Sequence, residues 1–246
     1  MKQFKQLLAL ACAAVFAASA ASASDDPEMD RFINDLMSRM TIHQKIGQMN
    51  LPTGGDMTTG AIQNSDLAHM IRNGEIGGFF NVKGADKIHE LQRMAVEETE
   101  LKIPLFVGAD VIHGYQTVFP IPLAMSCSWD TIAVKEAAHI SAKEASANGI
   151  NWTFSPMVDI ARDPRWGRIA EGNGEDPYLG GVLAGAYVKG YQGDFSQKDN
   201  ILACLKHFAL YGASEAGRDY NPTDMSRVRM YNEYLPPYKA AVEAGV

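Results

Sequence analysis

Hydrophobic residues recur along this chain with two different periods. Phe32, Ile33, Leu36, Met37 and Met40 return every three or four positions and predict a helix. Residues 25–28 before them read as a polar linker. Thr41 heads a second helix running to Gln48, with Gln44 at the capping-box position. Residues 52–60 are rich in Gly and Thr and read as a loop. Beyond them short apolar runs alternate with longer amphipathic ones. Strands are expected at 76–82, 104–109, 151–155 and 201–205. Helices are expected at 85–99, 131–148, 178–192 and 231–244, the first with Ile88, Leu91 and Ala95 on one face.

Strict alternation of strand and helix implies an α/β fold with a parallel sheet and helices outside it. The polar residues follow the strands: Asp110 to Gly114, then Pro156 to Asp159, then Lys206 and His207. In parallel α/β folds the chemistry sits at the carboxyl ends of strands. The pattern points to a (β/α)8 TIM-barrel-like domain, with a doubly wound sheet as the alternative. No Gly-x-Gly-x-x-Gly follows the first strand, which counts against a dinucleotide site. Four strands are half of what such a barrel needs, so the expectation is a barrel truncated before closure.

The amino terminus changes the picture of where the fold starts. Lys2 and Lys5, an apolar run from 7 to 16 and Ala21-Ser22-Ala23 form the order of a secretory signal peptide over residues 1–23. The run is too short to anchor in a bilayer, and Ala9 stands where lipid attachment at Cys12 favours Leu. The expected protein is therefore exported, periplasmic or secreted, with one domain over 24–246 and no membrane association after cleavage. Among 246 residues, 22 Lys+Arg against 29 Asp+Glu give a net charge of −7; losing Lys2 and Lys5 makes it −9. No basic stripe is left for nucleic acid. Cys127 and Cys204 remain, too few for a disulfide framework; two buried thiols are expected rather than a pair.

Candidate chemistry lies in three places. Asp110 ends an apolar strand, where a carboxylate can accept from two hydroxyls or can cap the next helix. The segment DPRWGRIAEGNGEDP, residues 163–177, is charged yet carries Trp166, three glycines and two prolines, so it reads as a constrained functional loop. Arg162, Arg165 and Arg168 face Glu171, Glu175 and Asp176 there; internal ion pairs are expected, with one arginine left to fork onto a substrate. Lys206 and His207 end the fourth strand, and both reach one pocket only if the backbone leaves strand geometry. A Schiff-base lysine at 206 is a second reading. His43, His69, His89 and His139 fall on helices without metal-ligand spacing, so no metal and no cofactor is expected.

Six segments in order then resemble glycoside hydrolase family 3: MTIHQKIGQM, GEIGGFF, IPLFVGADVIHG, TVFPIPLAMSCSWD, the DPRWGR loop and KHFALYGASEAGRDYN. The resemblance implies a barrel-like first domain of a retaining β-glucosidase or β-xylosidase, with a β-glucoside or oligosaccharide as substrate. It implies that Asp110, Arg168, Lys206 and His207 hold the non-reducing sugar: Asp110 as acceptor, Arg168 and Lys206 as donors, and His207 as donor to a hydroxyl beside the scissile bond. KHFALYGA lacks the His-Asp pair of the N-acetylglucosaminidase subgroup and looks like the periplasmic β-glucosidases. The family places its nucleophile in a G-F-x-V-x-(S/T)-D segment, with the acid/base later still. No such segment occurs in these residues, so no catalytic residue is expected in this chain.

Overall fold

In the computed structural model the described residues are 26–54 and 66–246. The chain divides into two compact units, Met1–Thr41 and Ile42–Val246. The signal-peptide expectation falls on residues outside the described ones.

In the first unit the helical period is realised as α1, Pro27–Arg39. Of the polar linker expected at 25–28, Asp26 is the cap of this helix and Pro27 and Glu28 are its first residues, while residue 25 lies outside the described ones. Asp26 caps it, its carboxylate accepting from the Glu28 and Met29 amides at 3.0 and 3.2 Å, and Pro27 fits the first turn because no amide partner is needed there.

The second unit opens with α2 (Ile42–Gly47) and α3 (Leu67–Arg72). Three strands follow, β1 (Gly78–Phe80), β2 (Phe106–Ala109) and β3 (Trp152–Thr153), joined by α4 (Ala85–Glu97) and α6 (Thr131–Ala147), with the short α5 (Pro122–Ser126) before α6. Then come α7 (Pro177–Gln192) and α8 (Pro236–Glu243). The strands pair parallel in sequence order, Phe79 opposite Val107 and Gly108 opposite Trp152.

Two expectations about strands are corrected. The fourth run, 201–205, is no regular strand; it touches its neighbour through isolated parallel bridges, Trp152 to Leu202 and Met157 to Lys206. Its amides are shared: Leu202 donates to the Asn151 carbonyl, but Ala203 donates to the Gln192 side chain and Cys204 to the Ser155 carbonyl. Conversely the loop expected from 52 begins as an edge segment. Thr53 bridges Phe80 in parallel, and Gly54 and Phe80 exchange bonds with Phe80 and Pro52 carbonyls. The resulting order, 53, β1, β2, β3, 202, never reverses, whereas a doubly wound sheet reverses at a switch point.

Side chains alternate across this sheet. Phe79, Val107 and Thr153 are fully buried, and Phe79 and Val107 join the core with Ile88, Leu91 and Ala95 of α4, Val134 and Ala138 of α6 and Leu183 of α7. The opposite face carries Phe80, Phe106, Trp152 and Phe154, whose rings meet at 5.0–5.9 Å. Asp110 continues the Phe106 and Gly108 side of β2.

The helix layer is held by caps and close packing. Asp130 caps α6, and Asp176 caps α7 by accepting from the Leu179 amide at 2.6 Å. Asp176 therefore has a local role rather than a place in the expected arginine cluster. α7 lies against α6 on one side and α8 on the other. At Gly190 a Cβ would stand 2.5 Å from the Lys135 carbonyl oxygen and 2.6 Å from the Ala138 Cβ. Gly190→Ala is expected to destabilise the domain by about 1–3 kcal/mol, the usual cost of overpacking, read from the shift of its chemical-denaturation midpoint; an unchanged midpoint would show that the two helices part freely.

Candidate functional site

β2, the turn after β3, the 163–177 loop and the 201–207 segment end at one place. Asp110, Ile112, Phe154, Arg168, Glu171, Cys204, Lys206, His207, Asp219 and Tyr220 line an open cavity of about 670 Å³. All four expected sugar-holding residues, Asp110, Arg168, Lys206 and His207, are among them. Lys206 Nζ donates to Asp110 Oδ1 at 2.8 Å. Asp110 therefore does not cap a helix, and Lys206 is an ion-paired ammonium rather than the free amine a Schiff base needs. The Lys206–His207 peptide is cis, as is Ser155–Pro156. The backbone leaves strand geometry there, and both side chains reach the same cavity.

Beneath His207 sits Asp159, whose side chain is fully buried. Its Oδ2 accepts from the His207 backbone amide at 3.0 Å and lies 2.8 Å from His207 Nδ1. Tyr238 of α8 brings its hydroxyl against Asp159 Oδ1 at 3.3 Å and against the His207 carbonyl oxygen. The Tyr211 ring meets the imidazole edge-on at 4.8 Å.

The loop differs in detail from the expectation. All three arginines have carboxylate partners, so none is left over by elimination: Arg162 pairs with Glu233 at 3.1 Å, Arg165 with Asp163 at 2.6 Å and Arg168 with Glu171 at 2.6 Å. The Arg168–Glu171 pair is two-pronged, Nε to Oε1 and Nη2 to Oε2, which fixes the guanidinium plane at the cavity wall. The same guanidinium lies 5.5 Å from the Tyr211 ring centre. Trp166 is buried and donates from Nε1 to Asp219 Oδ1 at 3.0 Å. That bond is the main reason the Asp219 carboxyl is held below its ordinary range, with the Arg168 charge adding to it. Burial pushes the Glu171 carboxyl up, but the Arg168 bonds and the charges of Arg168 and Lys206 outweigh it, and the net shift is downward.

Loop 110–119 is fixed from behind. Glu144 of α6 accepts from the Gln116 and Thr117 amides at 2.8 Å each and from Thr117 Oγ1 at 2.6 Å. Gly114, at φ +115°, passes so near the Thr117 carbonyl that a Cβ there would collide with it. His113 turns its Nδ1 to the Phe119 carbonyl at 3.2 Å. Tyr191 of α7 ties the ends of β2 and β3 together, its hydroxyl bonding to the Val111 carbonyl at 2.8 Å and to Ser155 Oγ at 3.2 Å.

The cysteine expectation is corrected. Both thiols are free, but Cys127 is exposed and Cys204 half-buried on the cavity wall; they belong to α5's carboxyl end and to the 201–207 segment. Among the described residues, no three His, Cys, Asp or Glu side chains cluster as metal ligands do. Sequence reasoning did not assign Glu171, Asp219, Tyr211 or Tyr238 to the site. Asp159 stood in the polar run after β3, but nothing in its spacing distinguished a buried anchor from a cap.

The depressed Glu171 carboxyl carries a pH signature. Below its ordinary value of 4.5 the unfolded chain takes up this proton before the folded one, so stability falls with falling pH. Glu171→Gln is expected to flatten the melting-temperature profile of the protein in that window; a slope equal to that of the parent would place Glu171 outside the linkage.

With this geometry in view, relatives identify the scaffold. The profile of the glycosyl hydrolase family 3 N terminal domain matches residues 41–246. The chain is 44% identical over 218 residues to a periplasmic beta-glucosidase of Salmonella typhimurium, covering 88% of this chain and 28% of that protein. It is 32% identical over 228 residues to a beta-xylosidase of Formosa agariphila, covering 91% of this chain and 27% of that protein. The crystal structure of a beta-glucosidase from Listeria innocua in complex with glucose superposes with a TM-score of 0.79 at 41% identity, over 88% of this chain and 32% of that one. The chain thus spans less than a third of the length of these proteins. It belongs to glycosyl hydrolase family 3, and residues 41–246 are its N-terminal domain.

Proposed function

We propose that this domain holds the non-reducing sugar in an exported β-glucosidase that hydrolyses terminal β-D-glucosyl residues with retention of configuration. The observation that carries the reading is the convergence of Asp110, Lys206, His207 and Arg168 on one cavity. Asp110 is an acceptor with two oxygens, so it can take two adjacent hydroxyls while Lys206 supplies a donor beside it. The cavity's volume suits a sugar. Phe154 and Tyr220 give it apolar surface for a pyranose face. The cavity's two basic side chains, Lys206 and Arg168, are already paired with Asp110 and Glu171, which favours a neutral polyol over an anionic ligand.

On this reading the domain is a (β/α)8 barrel, its inner face begun by Phe80, Phe106, Trp152 and Phe154. The two bond-breaking carboxylates, about 5–5.5 Å apart in a retaining enzyme, come from residues other than these 246, because the family's nucleophile segment is absent from them. Residues 1–23 direct export, consistent with the periplasmic relative. A β-xylosidase is the second reading, favoured by the Formosa agariphila relative; xylose lacks the hydroxymethyl group, so paired rates on aryl β-glucoside and β-xyloside separate the two.

The full-length protein is expected to hydrolyse an aryl β-glucoside, and Asp110→Ala to lower kcat/KM about a hundredfold or more, as loss of two hydrogen bonds to a charged acceptor does. Full activity in that variant would remove Asp110 from the sugar site, and absence of hydrolysis by the parent would end the glucosidase reading.

A further inference from the structure

We propose that Asp159, braced by Tyr238, is a positioning residue that locks the His207 imidazole in one tautomer and one orientation, offering Nε2 to a single sugar hydroxyl. This rests on the reading of the cavity as a sugar pocket.

The argument starts from burial. Asp159 has a fully buried side chain, and a buried carboxylate is stable only when its oxygens are occupied by donors. Two donors bond it, and beside it stands a hydroxyl whose one hydrogen is shared with the His207 carbonyl. The His207 amide takes Oδ2 at 3.0 Å, His207 Nδ1 takes the same oxygen at 2.8 Å, and the Tyr238 hydroxyl reaches Oδ1 at 3.3 Å. An ionised carboxylate only accepts, so the hydrogen between it and the ring sits on Nδ1. That assigns the tautomer: Nε2 is the nitrogen left to the cavity, and it accepts from a hydroxyl there instead of donating to one as the family resemblance implies.

Orientation follows from the same contacts. Asp159 holds His207 at two points, the amide and the ring, and so fixes the side chain relative to its own backbone. Tyr238 closes the set from the opposite side by touching both Asp159 and the His207 carbonyl. Burial, then the Asp159 charge, pushes the Tyr238 phenol well above the ordinary tyrosine value, so it stays a donor. The Tyr211 ring, 4.8 Å from the imidazole, blocks its remaining swing. An Asp that orients a His through Nδ1–H is a recurrent device for controlling what Nε2 does.

The test uses the full-length protein with Asp159→Ala and Tyr238→Phe. Asp159→Ala removes the one oxygen that holds both the His207 amide and the ring, and the crystal structure of the variant is expected to show the imidazole turned from its parent position. On an aryl β-glucoside its kcat/KM is expected to fall about ten- to a hundredfold, the effect of losing a hydrogen bond to a charged group. Among monodeoxy analogues of that substrate, the loss is expected to vanish for the one lacking the hydroxyl that His207 holds. Tyr238→Phe, which removes only an oxygen, gives a smaller loss of a few-fold with the same analogue pattern. An imidazole that stays in place in Asp159→Ala, or a loss equal on every analogue, overturns the proposal. If the parent hydrolyses no β-glucoside, the functional reading fails, and the ring position in the variant crystal still decides whether Asp159 positions His207.

Discussion

Lys206 and Asp110 are 96 positions apart in the chain and 2.8 Å apart in space, and the cavity depends on that contact. The sheet order explains how it arises. β2, β3 and the 201–206 segment run parallel in sequence order, so their carboxyl ends stand side by side. Neighbouring strands are about 4.8 Å apart, which puts the backbones of 110 and 206 about two such steps from each other across β3. A short side chain cannot cover that distance; a lysine's four methylenes can. The pair thus pins the irregular fourth segment to the second strand over the top of the third. Both partners are mostly shielded, at 12% and 26% side-chain exposure, so either one alone would leave a poorly solvated charge.

The same logic runs through the rest of the wall. Arg168 is held by Glu171, His207 by Asp159 and Asp219 by Trp166. Each polar group that faces the cavity has its orientation set by a neighbour before any ligand arrives. Such preorganisation lowers the entropy cost of binding. It also sets the charge balance: an anion entering this cavity meets groups whose opposite charge is already engaged, whereas a polyol can add hydrogen bonds to groups that keep their partners.

The regular parts of the fold were legible in the chain because local rules govern them. α4, α6 and α7 follow their apolar residues, and the structure places their ends within two residues of the expected positions. The first three strands were legible as short apolar runs. The misjudged parts are those where tertiary partners override local pattern. Residues 201–205 have a strand's composition, yet Gln192 and Ser155 claim their amides. Thr53 sits in a Gly- and Thr-rich stretch that reads as loop, but the β1 edge pairs with it. Asp110, Arg168, Lys206 and His207 were legible through the polar-after-apolar positions and the resemblance of their motifs; that Arg168 would be shared with Glu171 was not, since three arginines and three acids three to fourteen residues apart admit several pairings.

Asp159 and Tyr238 were hidden for a more general reason. Seventy-nine residues separate them, and neither belongs to a charged cluster or a repeating pattern. What distinguishes Asp159 is the complete burial of a carboxylate, which is a property of the packed structure. Burying it is tolerable because the His207 amide, the His207 ring and the Tyr238 hydroxyl are in reach, and those come from two elements other than its own turn, the 201–207 segment and α8. The orientation of one imidazole at the cavity wall therefore depends on the docking of the last helix described, and a change in how α8 packs on α7 would reach that wall through Tyr238.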